Sequence, residues 1–303
     1  MSRRPVRVPS LFLILLLASL LPRLTAAARG QCEEPGTPVE MVVPPEGAVQ
    51  ELTLEAGGRL RGRVLSAGDP VRFELLSGDV LEVQASRIRC LRVLSGRRRE
   101  NGEFWPEDPN VTRLFFGPTG RSVGSGQGYA SVFELFMPFV AVGLGDRVTM
   151  AGGVPLFITE AGIEVLYLAP KVEVVRTASF RGAIGALAFF ARGETGSIGI
   201  VYGVGTFGRS SDAAVTVGAG WGYSTDEGVG ETPALLGGFE YRVARNLKLI
   251  SENYLVVDEG AGVLTLGPRF FGDRLSADVG LAVPVGTGEE FFAFPVVNFV
   301  WNW

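Results

Sequence analysis

The charged residues in the second half of the chain share one side of an alternating pattern. In four successive segments that alternate apolar and polar positions, the polar side carries acids and bases together; these residues are Glu240, Arg242, Lys248, Glu252, Arg269 and Asp278. Opposite charges on neighbouring strands can pair across a β-ladder, and an ion in a low-dielectric interior needs a partner or water. The pattern therefore predicts a charged wall that faces an enclosed lumen.

Three uses of such a wall are open. The first is a structural network of ion pairs, which Glu134, Lys171 and Glu173 would extend on the opposite wall. The second is a polar constriction for the passage of solutes. The third is an acid/base pair made by Glu252 and Asp278.

Histidine is absent from all 303 residues, which limits the chemistry. Ser-His and Asp-His catalysis cannot be built without it, and histidine metal sites are excluded as well. We therefore expect no enzymatic activity, no cofactor and no metal site. A lipid- or glycan-modifying enzyme that works through carboxylates is the remaining catalytic alternative.

A period of two organises the sequence from Thr112 onward. In "AAVTVGAGWGY", Val215, Val217 and Trp221 fall on one face, whereas Thr216 and small residues fall on the other. "LSADVGLAVPV" divides in the same way. A soluble sandwich also alternates, so alternation alone does not choose between a protein core and lipid.

The order of the turns favours lipid. Long, Gly-rich and mostly acidic connections such as "STDEGVGETP" alternate with tight, usually Arg-containing turns such as "GRSSD". Transmembrane barrels have an even strand count, with short turns at one end and longer loops at the other. The sequence therefore predicts an all-β fold whose main part is an antiparallel outer-membrane β-barrel of about twelve strands over residues 112–303, with ten strands as the alternative.

The stretch "FFAFPVVNFVWNW" places aromatic side chains on alternate positions up to Trp303. In a closed barrel the last strand pairs with the first, so its outward face meets lipid along its whole length. We expect Phe299, Trp301 and Trp303 to face lipid, with the tryptophans in an interfacial aromatic girdle. Trp221, Tyr223, Tyr241, Phe271 and Phe291 are the other girdle candidates.

The first residues predict export. Three arginines precede the apolar run "SLFLILLLASLL", and "TAAA" supplies small residues for cleavage, so residues 1–28 read as a signal peptide. Cleavage there changes the formal charge from -4 to 24 minus 32, or -8. An acidic exported chain argues against a nucleic-acid partner. Export also permits a disulfide between Cys32 and Cys90, although two unpaired buried thiols are the alternative.

Residues 48–96 predict a separate small β domain. Apolar and charged positions alternate, as in Val71 and Phe73 against Arg72 and Glu74, and "AGG", "AGDP" and "SGD" supply turns. The pattern resembles the SH3-like or Sm-like small barrels of exported bacterial proteins, a resemblance that implies no ligand. Residues 29–47 and 97–111 read as linkers on either side.

Several separated segments carry a further resemblance. "FWPEDPNVTRLFFGPTGRSVGSGQGY", "LGDRVTMAGGVPLF", "VYGVGTFG", "LKLISENY" and "LGPRFFGDRLSADVGLAVP" resemble an uncharacterised family of bacterial outer-membrane β-barrel proteins. The resemblance covers roughly residues 104–303 and implies location and fold but no activity. The aromatic ending also resembles that of outer-membrane barrels in general, which implies that Trp303 helps the barrel assembly machinery to recognise the last strand.

These observations predict a structural or anchoring barrel in the outer membrane of a diderm bacterium, with a narrow pore as an option and the small domain in the periplasm. The alternative is a selective channel for small solutes. The expected partners are outer-membrane lipids and the barrel assembly machinery, and the sequence does not identify a partner for the small domain.

Overall fold

The computed structural model describes residues 42–45, 47–99, 102–155, 165–286 and 292–303. The predicted signal peptide, Cys32 and Phe291 lie outside the described residues, so the bridge between Cys32 and Cys90 stays a prediction. The chain forms two compact units, Met1–Leu94 and Ser95–Trp303, and each is described by itself.

The first unit is a small antiparallel sheet. Within residues 47–94 its strands lie in the order β4-β3-β2-β1-β5, and a single 3-10 turn, Ala85–Arg87, connects β4 to β5. The strands are β1 (Val49–Leu54), β2 (Arg59–Ser66), β3 (Val71–Leu75), β4 (Val80–Val83) and β5 (Ile88–Leu94). Alternate apolar side chains from these strands form the core: Leu52, Val64, Val71, Phe73, Ile88 and Leu91. The predicted turns "AGG" and "SGD" place Gly57 and Gly78 at positive φ, where glycine has no steric penalty.

One ion-pair cluster lies in this sheet, centred on a buried carboxylate. Glu51 is 2% exposed and accepts hydrogen bonds from Arg61 Nε at 3.2 Å and from Arg92 Nη2 at 2.7 Å. Burial raises the pKa of Glu51, but the charges and hydrogen bonds of Arg92 and Arg61 outweigh it and hold the pKa below its ordinary value of 4.5.

This depressed pKa predicts acid sensitivity of the small unit. The stability that ionised Glu51 contributes is fully present above about pH 4.5 and is lost as the pH falls through the lower folded-state pKa. We expect the protection factors of core amides in β1 and β5, corrected for the intrinsic exchange rate at each pH, to fall between about pH 5 and pH 3. Glu51→Gln should flatten this dependence, whereas Glu82→Gln, at an exposed position, should leave it in place. An equally steep profile in Glu51→Gln would contradict the assignment.

The second unit begins with a two-stranded ribbon, where the sequence predicted only a linker, and continues into a large sheet. Its strands are β6 (Gly96–Arg98), β7 (Phe104–Pro106), β8 (Gly128–Phe133), β9 (Met137–Gly143), β10 (Val148–Gly153), β11 (Val165–Leu168), β12 (Lys171–Arg176), β13 (Phe180–Ala191), β14 (Ile198–Ser210), β15 (Ala213–Ser224), β16 (Gly228–Ala244), β17 (Leu247–Val256), β18 (Ala261–Phe271), β19 (Leu275–Val285) and β20 (Phe294–Asn302). Strands β11 and β12 both lie between β10 and β13 and form one interrupted strand.

The large sheet closes on itself. Each strand pairs antiparallel with the next, β20 pairs with β8, and β9 pairs with β10, so the described residues form a closed barrel of twelve strands when β11 and β12 are counted together. Closure leaves no unpaired sheet edge. We call the end at which Gly128 and Trp303 lie the inner end, and the opposite end the outer end.

The predicted strand count is confirmed, but the predicted first strand is wrong. The barrel begins at Gly128 rather than at Thr112, and residues 107–127 are not part of its wall. The count is preserved because residues 128–143 form two strands, β8 and β9, joined by a tight turn. The turn between them, residues 134–136, holds Glu134 at φ 50° and Leu135 at φ 63°. Non-glycine residues rarely adopt this conformation, so the residue types at 134–136 do not indicate a turn.

The outer surface of the barrel is apolar along the strands. Within the described ranges, no helix is long and apolar enough to cross a membrane. Large apolar side chains at alternate positions are exposed, and they include Ile184, Phe207, Val215, Val217, Phe239, Leu264, Leu266, Phe270, Leu275, Val279, Leu281, Phe299 and Trp301. The intervening side chains face the lumen. Phe271 is an exception to the predicted girdle, because it is 4% exposed and lies inside.

The closing seam carries the predicted aromatic residues. The backbone N–H of Trp303 donates to the carbonyl of Gly128 at 3.0 Å, and the N–H of Gly128 donates back at 3.2 Å. Phe299 and Trp301 are 51% and 43% exposed, and the rings of Trp301 and Trp303 lie 5.2 Å apart. Trp303 therefore continues the pairing of β20 with β8 to the inner end.

Candidate functional site: the plugged lumen

Residues 107–127, which connect β7 to β8, lie inside the barrel, and we call them the plug. Asp108, Asn110, Leu114, Phe115 and Thr119 are at most 1% exposed. The plug contacts nearly the whole circumference of the wall. Its hydrogen bonds and ion pairs reach side chains of β10, β12, β14, β16, β17, β18, β19 and β20. The segment therefore crosses the lumen rather than following one side of it.

The plug turns back on itself at its tip. The N–H of Leu114 donates to the carbonyl of Gly117 at 2.9 Å, and the backbones of Arg113 and Pro118 form an isolated antiparallel β-bridge. Glu252 of β17 holds this turn, since its Oε2 accepts the N–H groups of Phe116 at 2.9 Å and Gly117 at 3.0 Å. Glu252 thus binds backbone rather than a cation.

Two apolar side chains of the plug pack onto the wall beside this turn. Leu114 and Phe115 are buried with Ile250, and Leu236 and Val296 pack against them. The wall has a glycine, Gly280, under the Phe115 ring, where an added Cβ would lie 2.9 Å from a ring carbon. The close approach of ring to wall requires glycine at this position.

Three cations lie side by side on the wall, and an acidic side chain of the plug compensates their charge. Arg242, Lys248 and Arg269 are register partners on β16, β17 and β18. Like charges directly opposite each other destabilise a sheet. Asp108 of the plug supplies the counter-charge, because its Oδ2 lies 2.9 Å from Lys248 Nζ and 3.3 Å from Arg269 Nη1, with all three side chains fully buried.

Arg269 has the most contacts in this row. Its Nε and Nη2 bind both carboxylate oxygens of Asp278, the register partner on β19, at 2.6 and 3.0 Å. Nη1 donates to the carbonyl of Asn110 at 2.8 Å, and Nη2 donates to that of Leu114. One guanidinium thus ties two wall strands to the plug. Asp278 is held in a fork by Arg269 and is not placed beside Glu252 by any contact of the described residues.

Glu240 and Arg242 both lie on β16 and bind different partners. Glu240 accepts from Lys248 Nζ at 2.9 Å and pairs with Arg121 of the plug. Arg242 pairs instead with Asp212 at 3.0 Å, and its guanidinium lies 5.0 Å from the centre of the Phe271 ring. Phe271 faces inward because it lies two residues from Arg269 on β18, and the Arg242 guanidinium packs against its ring.

The opposite wall holds the second half of the plug. Lys171 Nζ donates to three plug carbonyls, those of Thr112, Thr119 and Arg121, at 3.0, 3.0 and 2.6 Å. Glu173 accepts from the N–H and the hydroxyl of Ser122 at 3.1 and 2.7 Å. Lys171 therefore binds the plug, whereas Glu173 binds both the plug and two wall cations, Arg176 at 2.6 Å and Arg181 at 2.9 Å.

Glu134 is not part of these contacts. It lies in the turn between β8 and β9, and its Oε1 accepts the N–H of Val297 at 3.3 Å. The expectation that Glu134 extends the lumen network is therefore wrong, because it assumed an inward position within one continuous strand.

The alternating pattern of the strands indicates the wall charges but not their plug partners Asp108, Arg113 and Arg121. A signal was present: "FWPEDPNVTRLFFGPTG" has prolines at 106, 109 and 118, and proline is excluded from the centre of a sheet. The segment also lacks regular alternation of apolar and polar residues.

Two cavities flank the plug. A largely apolar cavity of about 170 Å³ lies between the plug and the outer end, with Thr112, Arg113, Phe116 and Pro118 from the plug among its lining residues. A polar bowl of about 340 Å³ lies on the other side and includes Arg121, Glu173, Arg176 and Arg181. In the part of the chain that the structure describes, no three His, Cys, Asp or Glu side chains are grouped to hold a metal ion.

Solved structures with some likeness to this chain are membrane barrels. The KdgM porin in complex with disordered oligogalacturonate is 7% identical, with a TM-score of 0.43 over 58% of this chain and 96% of that chain. The NanC porin is 6% identical, with a TM-score of 0.39 over 58% and 97%. A loop-deletion form of OmpT, an outer membrane protein of Vibrio cholerae, is 13% identical, with a TM-score of 0.34 over 85% and 97%.

At these identities and scores, the likeness assigns no function to this chain. No protein-family model matches the chain, and no curated protein matches it. The resemblance of its segments to an outer-membrane family therefore stays a prediction.

Proposed function

We propose that this protein is a sealed outer-membrane β-barrel that anchors its small N-terminal domain at the periplasmic side and has no catalytic activity. The observation that carries the proposal is the plug: residues 107–127 cross the lumen and hold buried ion pairs with the wall. A segment that crosses the lumen in this way supports a sealed barrel over an open pore.

Three features support the membrane location. The exposed positions of the strands are apolar, the closed sheet satisfies its own backbone groups, and the five connections at the inner end are all tight turns of two to four residues. Short turns face the periplasm in outer-membrane barrels. Arg99 lies 3.7 Å from Asp212 in one of these turns, which favours a periplasmic position for the chain that precedes it.

For the small domain we propose an SH3-like fold. The strand order β4-β3-β2-β1-β5 and the 3-10 turn between β4 and β5 favour that class. Lipids of the outer membrane and the barrel assembly machinery are the partners that we propose for the barrel.

A gated channel is the second candidate function. The polar bowl favours it, because Arg121, Arg176 and Arg181 line the bowl directly beneath the plug. In this alternative the plug would move to admit a solute. Glu252 and Asp278 are both engaged with the plug or with arginine, and this supports a structural use over acid/base chemistry.

Single-channel recording in planar bilayers separates the two functions. We expect the mature protein to give no stable conductance steps, because the plug blocks the lumen. A variant in which a Gly/Ser linker of equal length replaces residues 108–123 should conduct and serves as the positive control for a folded barrel. Stable steps from the unaltered protein would contradict the sealed barrel and favour the channel.

A further inference from the structure

The lumen face of the wall changes from charged to apolar between the plug and the outer end. Beside the plug, this face carries the ion pair of Glu240 and Lys248. Farther toward the outer end, the side chains that line the cavity are apolar and include Leu187 of β13, Ile200 of β14 and Leu236 of β16. Outer-membrane barrels usually have a polar interior. The apolar upper lumen is therefore a departure from the ordinary design of such a barrel.

Part of this apolar surface is open to the cavity. Ile200 of the wall and Phe116 of the plug both line the cavity, and they are 41% and 42% exposed. Exposed apolar side chains in a concave, enclosed place are typical of ligand-binding sites, because a ligand that covers them removes their surface from water. The two side chains therefore indicate an apolar occupant.

Aromatic rings of the plug and the wall form one side of the cavity. The rings of Phe116 and Phe133 have centres 5.2 Å apart and planes at 70°, and the rings of Phe133 and Phe139 have centres 5.5 Å apart and planes at 59°. All three line the cavity. Aromatic rings attract each other in such edge-to-face arrangements. The exposed ring of Phe116 thus offers an aromatic ligand the same kind of contact that it makes with Phe133.

The two cations that line the cavity are not available to a ligand. Lys171 Nζ donates to three plug carbonyls. Arg113 Nη1 donates to the carbonyl of Phe115, and its Nε and Nη2 are closed to a ligand. A charged ligand would lose its hydration here without gaining a partner, and this cost is large. The ligand is therefore uncharged.

The size of the cavity limits the ligand further. Its volume of about 170 Å³ is close to that of an apolar protein cavity of about 150 Å³ that holds benzene. We propose that the cavity binds a small uncharged aromatic molecule, with its ring against Phe116 and the rest of its surface between Leu187, Ile200 and Leu236. The site goes beyond the sealed barrel and does not depend on it, because a protein that conducts ions would leave the binding prediction standing.

Photolabelling of the full-length protein in lipid nanodiscs tests the site. The probe is phenyldiazirine, an uncharged aromatic molecule that loses N₂ in light and inserts as a carbene into a neighbouring side chain. After denaturation, trypsin releases the peptide 114–121, which contains Phe116 and Pro118 of the cavity, and the peptide 275–303, which contains the lipid-facing Leu275 and Leu281.

We expect the probe to label both peptides. An excess of toluene should suppress the label on 114–121 alone, because a site saturates and the lipid does not. Benzoate, which has a similar shape and carries a charge, should not suppress it. Absence of label on 114–121, label that toluene does not suppress, or equal suppression by benzoate would each overturn the proposal. This competition uses the unaltered protein, so it needs no variant to fold.

Two variants place the site within the cavity. Ala234→Phe fills the cavity from the wall and should abolish the label on 114–121 while the label on 275–303 remains. Val217→Phe adds similar volume on the lipid-facing side and should be labelled as the unaltered protein is. A folded Ala234→Phe barrel with full label on 114–121 would overturn the proposed position of the ligand.

Discussion

Arg269→Met should destabilise the second unit by about 3 to 5 kcal/mol, the range for removing one partner of a buried ion pair. The substitution leaves Asp278 without its fork and removes one of the two cations that bind Asp108, and both carboxylates are fully buried. It also removes the donors to the carbonyls of Asn110 and Leu114, so the plug loses its attachment to β18.

Equilibrium unfolding of the full-length protein in urea, in detergent micelles, measures this loss. Arg274→Met is the matched control, because Arg274 is exposed in the turn that follows β18. A double variant with Asp278→Asn tests the mechanism, since removing both partners should cost less than the sum of the two single losses. Equal midpoints for Arg269→Met and Arg274→Met would exclude the structural role of Arg269.

Gly120→Ala should dislodge the plug without removing any charge. A Cβ on Gly120 would lie 2.1 Å from the carbonyl oxygen of Arg181 in the backbone of β13, and no rotamer change relieves a contact with backbone. Displacement would also break the hydrogen bond from Gly120 N–H to Thr206 Oγ1 at 2.9 Å. Overpacking of this kind costs about 1 to 3 kcal/mol, enough to raise the population of the open barrel more than fivefold.

The measurement is conductance in planar bilayers together with proteolysis of the plug from the inner side. We expect conductance steps and cleavage between residues 108 and 127 in Gly120→Ala. Gly124→Ala is the control, because its Cβ would meet only the flexible end of the Gln127 side chain. A Gly120→Ala barrel that gives no conductance steps and resists the protease would contradict this prediction, because the plug would then stay in place despite the contact with β13.

The wall of the barrel could be predicted because it follows a local rule. Successive side chains of a strand point to opposite faces, so Asp278 and Val279 are assigned to lumen and lipid once the strand is recognised. The same rule placed Glu240, Lys248 and Arg269 on one side. These assignments need only a few neighbouring residues.

The plug could not be predicted by that rule because its contacts are distant in the chain. Asp108 and Lys248 are 140 positions apart, and neither residue type nor spacing connects them. The turn at Glu134 was not predicted for a different reason. Its conformation is imposed by the pairing of β8 and β9 with each other and with their neighbours, and not by the residues in the turn. Both misses come from tertiary constraint that overrides local preference.

The plug and the wall belong to one continuous polypeptide, and this has a kinetic consequence. A tethered segment re-binds its site at an effective concentration set by the tether, in the millimolar range for short flexible links, and not by the amount of protein present. Only Ser125, Gly126 and Gln127 separate Gly124, which contacts the wall, from the first residue of β8. Reclosure after an opening is therefore a first-order process whose rate does not change on dilution, and the lifetime of any open state would be a property of the single molecule.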